Sequence, residues 1–228
     1  VGVCFATSGP GCTNLVKVNI PAGVTEINED TFYDCEDLVS IQIPEGVTRI
    51  GGEAFYGCQS LQKVTIPSTL RTVGHRSFYD CYKLTGVYIC DLEAWFSIEW
   101  QSDWSWGTEY ANPLYFAHNL YLDGELATQI VVPDTVTKIN PYTFVGASCL
   151  QSIVFHDKVT AIGSSSFYNT LALATITFKG ATPPTVANDA FGTGDTARET
   201  DPVIYVPNGS YADYLNSDWP KNYKQWIS

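Results

Sequence analysis

Residues Leu38 to Leu70 read LVSIQIPEGVTRIGGEAFYGCQSLQKVTIPSTL, and this stretch repeats itself. Leu38, Ile41, Ile43 and Pro44 return as Leu61, Val64, Ile66 and Pro67, a step of 23 residues. The step runs outward in both directions. Ile20-Pro21 precedes, Phe32 leads to Phe55 and Phe78, and Cys12 leads to Cys35, Cys58 and Cys81. After an interruption it resumes with Val132-Pro133, Phe155 and Phe178, and with Phe144 and Phe167. The unit is C-x-x-L-x-x-I-x-I-P-x-x-V-T-x-I-x-x-x-x-F, filled in its second copy by Cys35, Leu38, Ile41, Ile43, Val47, Ile50 and Phe55. Within a unit, Ile41 and Ile43 alternate with Ser40 and Gln42, the period of a strand with one buried face. Pro44 has no N–H to give and ends that strand. Val47 and Ile50 point a second short segment inward, and Phe55 and Cys58 close the coil. One coil cannot bury its own apolar ring, so copies must stack, about 4.8 Å apart if their strands pair in parallel.

A short period with an L-x-x-I-x-I core is the signature of leucine-rich repeats. More narrowly, the chain resembles the BspA-like leucine-rich repeat family. Ile43-Pro44, Val47-Thr48-Arg49-Ile50-Gly51 and Ala54-Phe55-Tyr56-Gly57-Cys58 carry the resemblance, with a weaker copy from Val132 to Leu173. The resemblance covers about nine-tenths of the chain. It implies right-handed solenoids on surface or secreted proteins of bacteria and some protists, with roles in adhesion and recognition. It brings no catalytic motif, because the shared pattern is a core pattern.

The expected fold is an α/β repeat: a right-handed leucine-rich-repeat solenoid of short parallel strands with little helix. It is read as one domain over residues 1–228. An amino-terminal edge (1–11) leads into regular repeats (12–90). An irregular aromatic-rich coil with a hairpin (91–132) interrupts them, further regular repeats follow (133–191), and a C-terminal cap (192–228) ends the chain. The interruption holds four of the six tryptophans, Trp95, Trp100, Trp104 and Trp106, and Asp123-Gly124 signals its hairpin. Trp95 is expected in the core. In the cap, Ser210 is read as the N-cap of a short helix, and Trp219, Tyr223 and Trp226 as a lid.

Composition excludes several classes. The 228 residues carry 12 Lys and Arg against 24 Asp and Glu, a net charge of −12. Broad electrostatic binding to nucleic acid or anionic membrane does not fit that balance. No apolar run is long enough for a transmembrane helix. With 45% hydrophobic residues the chain is not disordered. It begins Val1-Gly2 without Met, which reads as a processed protein or a fragment. There is no G-x-S-x-G, H-E-x-x-H or Walker loop, so no catalytic residues, metal or cofactor are expected. His75, His118 and His156 lack metal-ligand spacing and are read as solvated or turn residues. Seven cysteines leave at least one unpaired. Cys12, Cys35, Cys58 and Cys81 read as a ladder of buried thiols, while Cys4 and Cys12 are a possible pair at the amino end.

The expected function is a non-enzymatic recognition or adhesion module, extracellular or on a cell surface, with a protein partner from a host or neighbouring cell; a monomer is favoured, the oligomeric state being unread from the sequence. The alternatives are a glycan-binding module using the Trp-rich segment and a structural spacer of a larger surface protein. Candidate ligand-binding residues are Trp100, Trp104, Trp106 and Tyr110, because exposed aromatics anchor interfaces and stack on sugars. A weaker candidate is the exposed strand face: Asn19, Gln42, Thr65 and Tyr88, beside Lys17, Ser40, Lys63 and Gly86.

Overall fold

A computed structural model describes residues 12, 14–101, 111–194 and 198–228. The chain forms two compact units, Val1–Glu125 and Leu126–Ser228.

The first unit runs β1 (Glu26–Ile27), β2 (Ser40–Gln42), β3 (Arg49–Ile50), β4 (Lys63–Thr65), β5 (Thr72–Val73) and β6 (Gly86–Ile89). It continues with α1 (Leu92–Phe96), β7 (Glu99–Trp100), α2 (Leu114–Ala117), β8 (Leu120–Leu122) and β9 (Glu125–Leu126), whose second residue is the first of the next unit. Its strands form two ladders, β2-β4-β6-β8-β9 and β1-β3-β5-β7. Ser40 pairs with Lys63 and Lys63 with Gly86, all in parallel and 23 residues apart, as the repeat requires. The Ile-Pro dipeptide follows β2 and β4, and Val-Thr-x-Ile supplies β1 and β3.

A third tier of bonds lies in the turn segment. Phe32 N–H donates to Ala54 O at 2.8 Å, and Phe55 N–H to Ser77 O at 2.8 Å. This tier uses the left-handed backbone region at regular positions: Asp30, Glu53 and Arg76, and four residues on Asp34, Gly57 and Asp80. A left-handed non-glycine residue costs roughly 1–2 kcal/mol, which the inter-coil bonds offset. Gly74 has a different reason to be glycine. A Cβ there would lie 2.3 Å from the backbone nitrogen of Gly52 in the coil beneath.

The interruption is one lengthened coil. In one ladder Val87 pairs with Leu120, a step of 33; in the other Thr72 pairs with Glu99, a step of 27. Helix α1 takes up the first four extra residues. Asp91 caps it, its Oδ1 accepting from Ala94 N at 2.9 Å. Trp95 is buried, as expected. The hairpin forms at Asp123-Gly124, whose φ values of 51° and 85° are the positive pair that a two-residue turn needs.

The second unit runs β10 (Gln129–Val131), β11 (Lys138–Ile139), β12 (Ser152–Phe155), β13 (Ala161–Ile162), β14 (Thr175–Phe178), β15 (Thr185–Val186), β16 (Val203–Tyr205), α3 (Tyr211–Asn216) and α4 (Lys221–Lys224). Its ladders are β10-β12-β14-β16 and β11-β13-β15. At the C-terminal end Trp219 packs on Phe178 with centroids 5.1 Å apart, and Tyr223 sits edge-on to Phe191 at 5.5 Å. Trp226 stays half-buried. Arg198 donates to Thr170 O and Phe191 O.

Three expectations need correction. Ser210 occupies the N-cap position of α3, but its hydroxyl makes no cap bond; the residue is buried. His156 is not solvated. Its buried ring places Nε2 3.0 Å from both Pro133 O and Val136 O, and Nδ1 accepts from Lys158 N. Cys12 is disulfide-bonded, so the buried thiol ladder is Cys35, Cys58 and Cys81; Cys4 lies outside the described residues.

Candidate binding face

Because strand side chains alternate, every buried Ile or Val in a ladder sends its neighbours outward. In the first unit Ile41, Val64, Val87 and Leu120 are inward. Outward, one row runs Lys17, Ser40, Lys63 and Gly86, joined by the bridge from Lys17 to Ser40 and the pairs above it. The next row runs Gln42, Thr65, Tyr88 and Tyr121 in direct register, with Asn19 one repeat before Gln42. Lys17, Asn19, Gln42 and Lys63 are exposed, and Thr65, Tyr88 and Tyr121 are half-buried.

The face has relief. Tyr88 and Tyr121 stack with centroids 4.6 Å apart and planes 7° apart. Gly86 makes room for them: a Cβ there would meet their Cε2 atoms at 2.9 and 3.0 Å. Lys63 Nζ lies 5.7 Å from the centre of the Tyr88 ring. A concavity of about 480 Å³ is lined by Lys17, Asn19, Ser40, Gln42 and Pro44. A second, of about 350 Å³, takes in Gln42, Pro44, Thr65, Pro67, Tyr88 and Asp123. Gln42 and Pro44 line both, so the two adjoin.

The turn tier of the same unit is chemically different. Tyr33, Tyr56 and Tyr79 stack at 4.8 and 5.1 Å. Burial and then nearby carboxylates, Asp34 beside Tyr33 and Asp80 beside Tyr56, push both phenols above their ordinary range. Arg76 and Glu53 pair at 3.4 Å, with His75 3.9 Å from the same carboxylate. The charges there meet one another.

The tryptophan candidates fare unevenly. Trp100 is only 6% exposed and packs on Trp95 with centroids 5.0 Å apart. It is a core residue, which corrects its assignment as a surface anchor: as the second residue of β7 it occupies the inward position held by Val73 one coil before. Trp104, Trp106 and Tyr110 lie outside the described residues. Tyr121 is the face residue that sequence reasoning missed. Its step from Tyr88 is 33, so no 23-residue register reaches it; the alternation Leu120-Tyr121-Leu122 was the available signal. Among the described residues no group of three His, Cys, Asp or Glu side chains is placed to hold a metal ion, and no helix is long and apolar enough to cross a membrane.

Comparison with known proteins bears on this scaffold. The chain is 24% identical to a leucine-rich repeat protein from Bacteroides ovatus over 87% of its own length and 62% of the other, with a TM-score of 0.44. It is 25% identical to a leucine rich cell surface protein from Faecalibacterium prausnitzii, over 85% and 56% of the two chains, with a TM-score of 0.42. With the T. pallidum leucine-rich repeat protein it shares 22% identity over 69% of each chain, at a TM-score of 0.40. No curated protein matches it. The model for the BspA type leucine rich repeat region matches six copies, over residues 8–95 and 118–197. The unmatched gap falls within the lengthened coil. With that repeat matched over most of its length and its strands paired at the repeat's own spacing, the chain belongs to the BspA-type leucine-rich repeat family, whose members are typically surface or protein-interaction modules.

Proposed function

We propose that this chain is a non-enzymatic recognition module of a cell-surface or secreted protein, and that it binds a protein partner through the outward strand face of its first unit. One observation carries the reading: adjoining concavities run along that face from Lys17 to Asp123, lined in part by the outward side chains of Lys17, Asn19, Gln42, Thr65 and Tyr88. Asn19, Gln42, Thr65 and Tyr88 offer donors, acceptors and an aromatic edge at a spacing fixed by the ladder. Such rows suit an extended partner laid across the strands. The family's ordinary setting supports the surface location and the protein partner. The absence of a recognisable catalytic or metal-binding motif in the sequence supports the non-enzymatic reading.

The test is a binding screen of the purified chain against matrix proteins and a glycan array, run beside two variants. The first carries Gln42→Arg and Thr65→Arg; the second carries Trp104→Ala and Trp106→Ala. A protein ligand lost in the first variant and kept in the second is the expected result. A ligand lost only in the second variant overturns the face assignment, and a glycan ligand overturns the choice of partner.

A further inference from the structure

The chain carries twice as many carboxylates as cations, 24 against 12. At that composition nine positions would hold about one carboxylate and about half a cation. The face of the first unit departs from that. Lys17, Asn19, Ser40, Gln42, Lys63, Thr65, Gly86, Tyr88 and Tyr121 include two lysines and no Asp or Glu. Neither lysine is in an ion pair among the described residues, where the ion pairs are Arg49 with Glu26 and Glu53 with His75 and Arg76. Carboxylates appear only at the margins of the second concavity. Glu45 is committed to Ser68, accepting from its N–H and its hydroxyl at 3.0 Å each, and Asp123 stands at the hairpin tip. The face therefore carries its cations on its first and third rungs, with carboxylates only on the rim that follows the strands.

Resting on the protein-partner reading above, we infer that the face takes an acidic, extended polypeptide segment, its carboxylates over Lys17 and Lys63 and its uncharged end against Tyr88 and Tyr121. The geometry defines the segment further. Lys17 and Lys63 stand two rungs apart, about 9.6 Å at the usual inter-strand spacing. A polyproline-II chain rises about 3.1 Å per residue with three residues per turn, so its residues i and i+3 point the same way about 9.3 Å apart. Asp or Glu at every third position matches the two lysines. A polyproline-II backbone leaves its own N–H and C=O groups unbonded, and Asn19, Ser40 and Gln42 offer them partners between the lysines. The tyrosines favour a peptide over an acidic sugar. Sugars stack on open ring faces, but Tyr88 and Tyr121 cover one face of each other, and the Lys63 ammonium stands near Tyr88. What Tyr88 presents is its edge and hydroxyl.

The probes are a synthetic peptide with Glu at every third position and Pro between, its Gln-for-Glu counterpart, and an oligogalacturonate of similar length. Each is titrated by calorimetry into the full chain and into a Lys17→Gln, Lys63→Gln variant of unchanged melting temperature. The Glu peptide is expected to bind the parent about tenfold more tightly than the Gln peptide, the size of two solvent-exposed ion pairs, and to lose that advantage in the variant. Equal binding of the two peptides, no binding of either, or tighter binding of the oligogalacturonate overturns the inference. If the strand-face variant of the earlier screen still loses a protein ligand, the general reading survives and only the acidic segment falls.

Discussion

The two units place different side chains on equivalent strands. In the first, the outward rows read Ser40, Lys63, Gly86 and Gln42, Thr65, Tyr88, Tyr121. In the second they read Gln129, Ser152, Thr175, Val203 and Val131, Val154, Thr177, Tyr205. The second set has no charge at all, and Val131 is 62% exposed and Tyr205 49%. Inward, the units agree. Ile41, Val64, Val87 and Leu120 correspond to Ile130, Ile153, Ile176 and Ile204, all buried. Phenylalanines stack in both, Phe32-Phe55-Phe78 at 5.2 and 5.1 Å and Phe144-Phe167-Phe191 at 5.4 and 5.1 Å. Stacking constrains the inward positions, because each ring is packed by the coil above and the coil below. The outward positions answer only to solvent and to whatever binds, so they are where function is to be sought.

The largest expected effect tests the shared half of this comparison. Phe55 and Phe167 are both fully buried in the middle of their stacks. Phe55→Ala and Phe167→Ala should each destabilise by about 3–5 kcal/mol, the cost of a large buried ring and its cavity. Urea unfolding followed by circular dichroism measures it. A loss below about 1 kcal/mol at either site would break the equivalence, since a ring that can be deleted so cheaply is not a packed core residue.

The inward half was legible in the sequence because a core that recurs every coil repeats its chemistry at the same interval. The Ile-Pro strand ends and the Phe stack follow from that. The candidate face was only partly legible. Asn19, Gln42, Thr65 and Tyr88 could be placed on it by counting, but Tyr121 could not, because α1 and the residues after it lengthen one coil by ten. Trp100 was misread for a related reason. A tryptophan in a polar run looks exposed, whereas the alternation of β7, set by its pairing with Thr72 and Val73, turns it inward. His156 stands where a turn proline is expected, and nothing local revealed that its ring would bond to carbonyls 20 and 23 residues earlier. In each case the missing information was a contact between coils.

A middle-sized effect sharpens the comparison at the position three residues after each Phe. In the first unit it is Cys35, Cys58 and Cys81; in the second it is Ala147 and Thr170. Cys58 Sγ donates to Phe32 O at 3.2 Å and Cys81 Sγ to Phe55 O at 3.3 Å, each reaching into the coil beneath. Thr170 instead donates to Phe167 O in its own coil, at 2.7 Å. What the two units share is a small side chain, so Cys58→Ala should cost only about 1 kcal/mol. Burial pushes the Cys58 and Cys81 thiols far above the ordinary range, and the thiolate is the reactive form. With a thiol reagent, native protein should therefore label at exposed Cys90, while Cys35, Cys58 and Cys81 wait for unfolding. Rapid labelling of Cys58 in the folded chain would show that the thiol ladder opens locally, as the Phe stack beside it should not.

The smallest effect separates the units by acid. In the second unit the Asp189 Oδ2 accepts from the hydroxyls of Ser164 and Ser165 at 2.7 Å each, tying one coil's turn to the next. Burial alone would raise this carboxyl; the two hydroxyls outweigh it and hold it below the ordinary range. In the first unit burial raises Asp30 and Asp34, and neighbouring carboxylates (Glu29 for the one, Glu36 and Asp80 for the other) add to it. The signs are opposite. A depressed carboxyl contributes stability above its unfolded pKa of about 3.9 and loses it as pH falls through the lower folded value. A raised carboxyl strains the fold while charged, and that strain is relieved as pH falls through the folded value. Asp189→Asn should therefore cost about 1 kcal/mol near neutral pH, with the gap to the parent closing in acid. Amide exchange at Phe167 and Asn169, whose N–H groups donate to Ala190 O and Gly192 O around Asp189, reads it locally. Asp34→Asn in the first unit should do the reverse, leaving exchange unchanged or slightly slower near neutrality. If Asp189→Asn kept the same gap in acid as at neutrality, the tie between these coils would rest on the shape of the side chain and not on its charge.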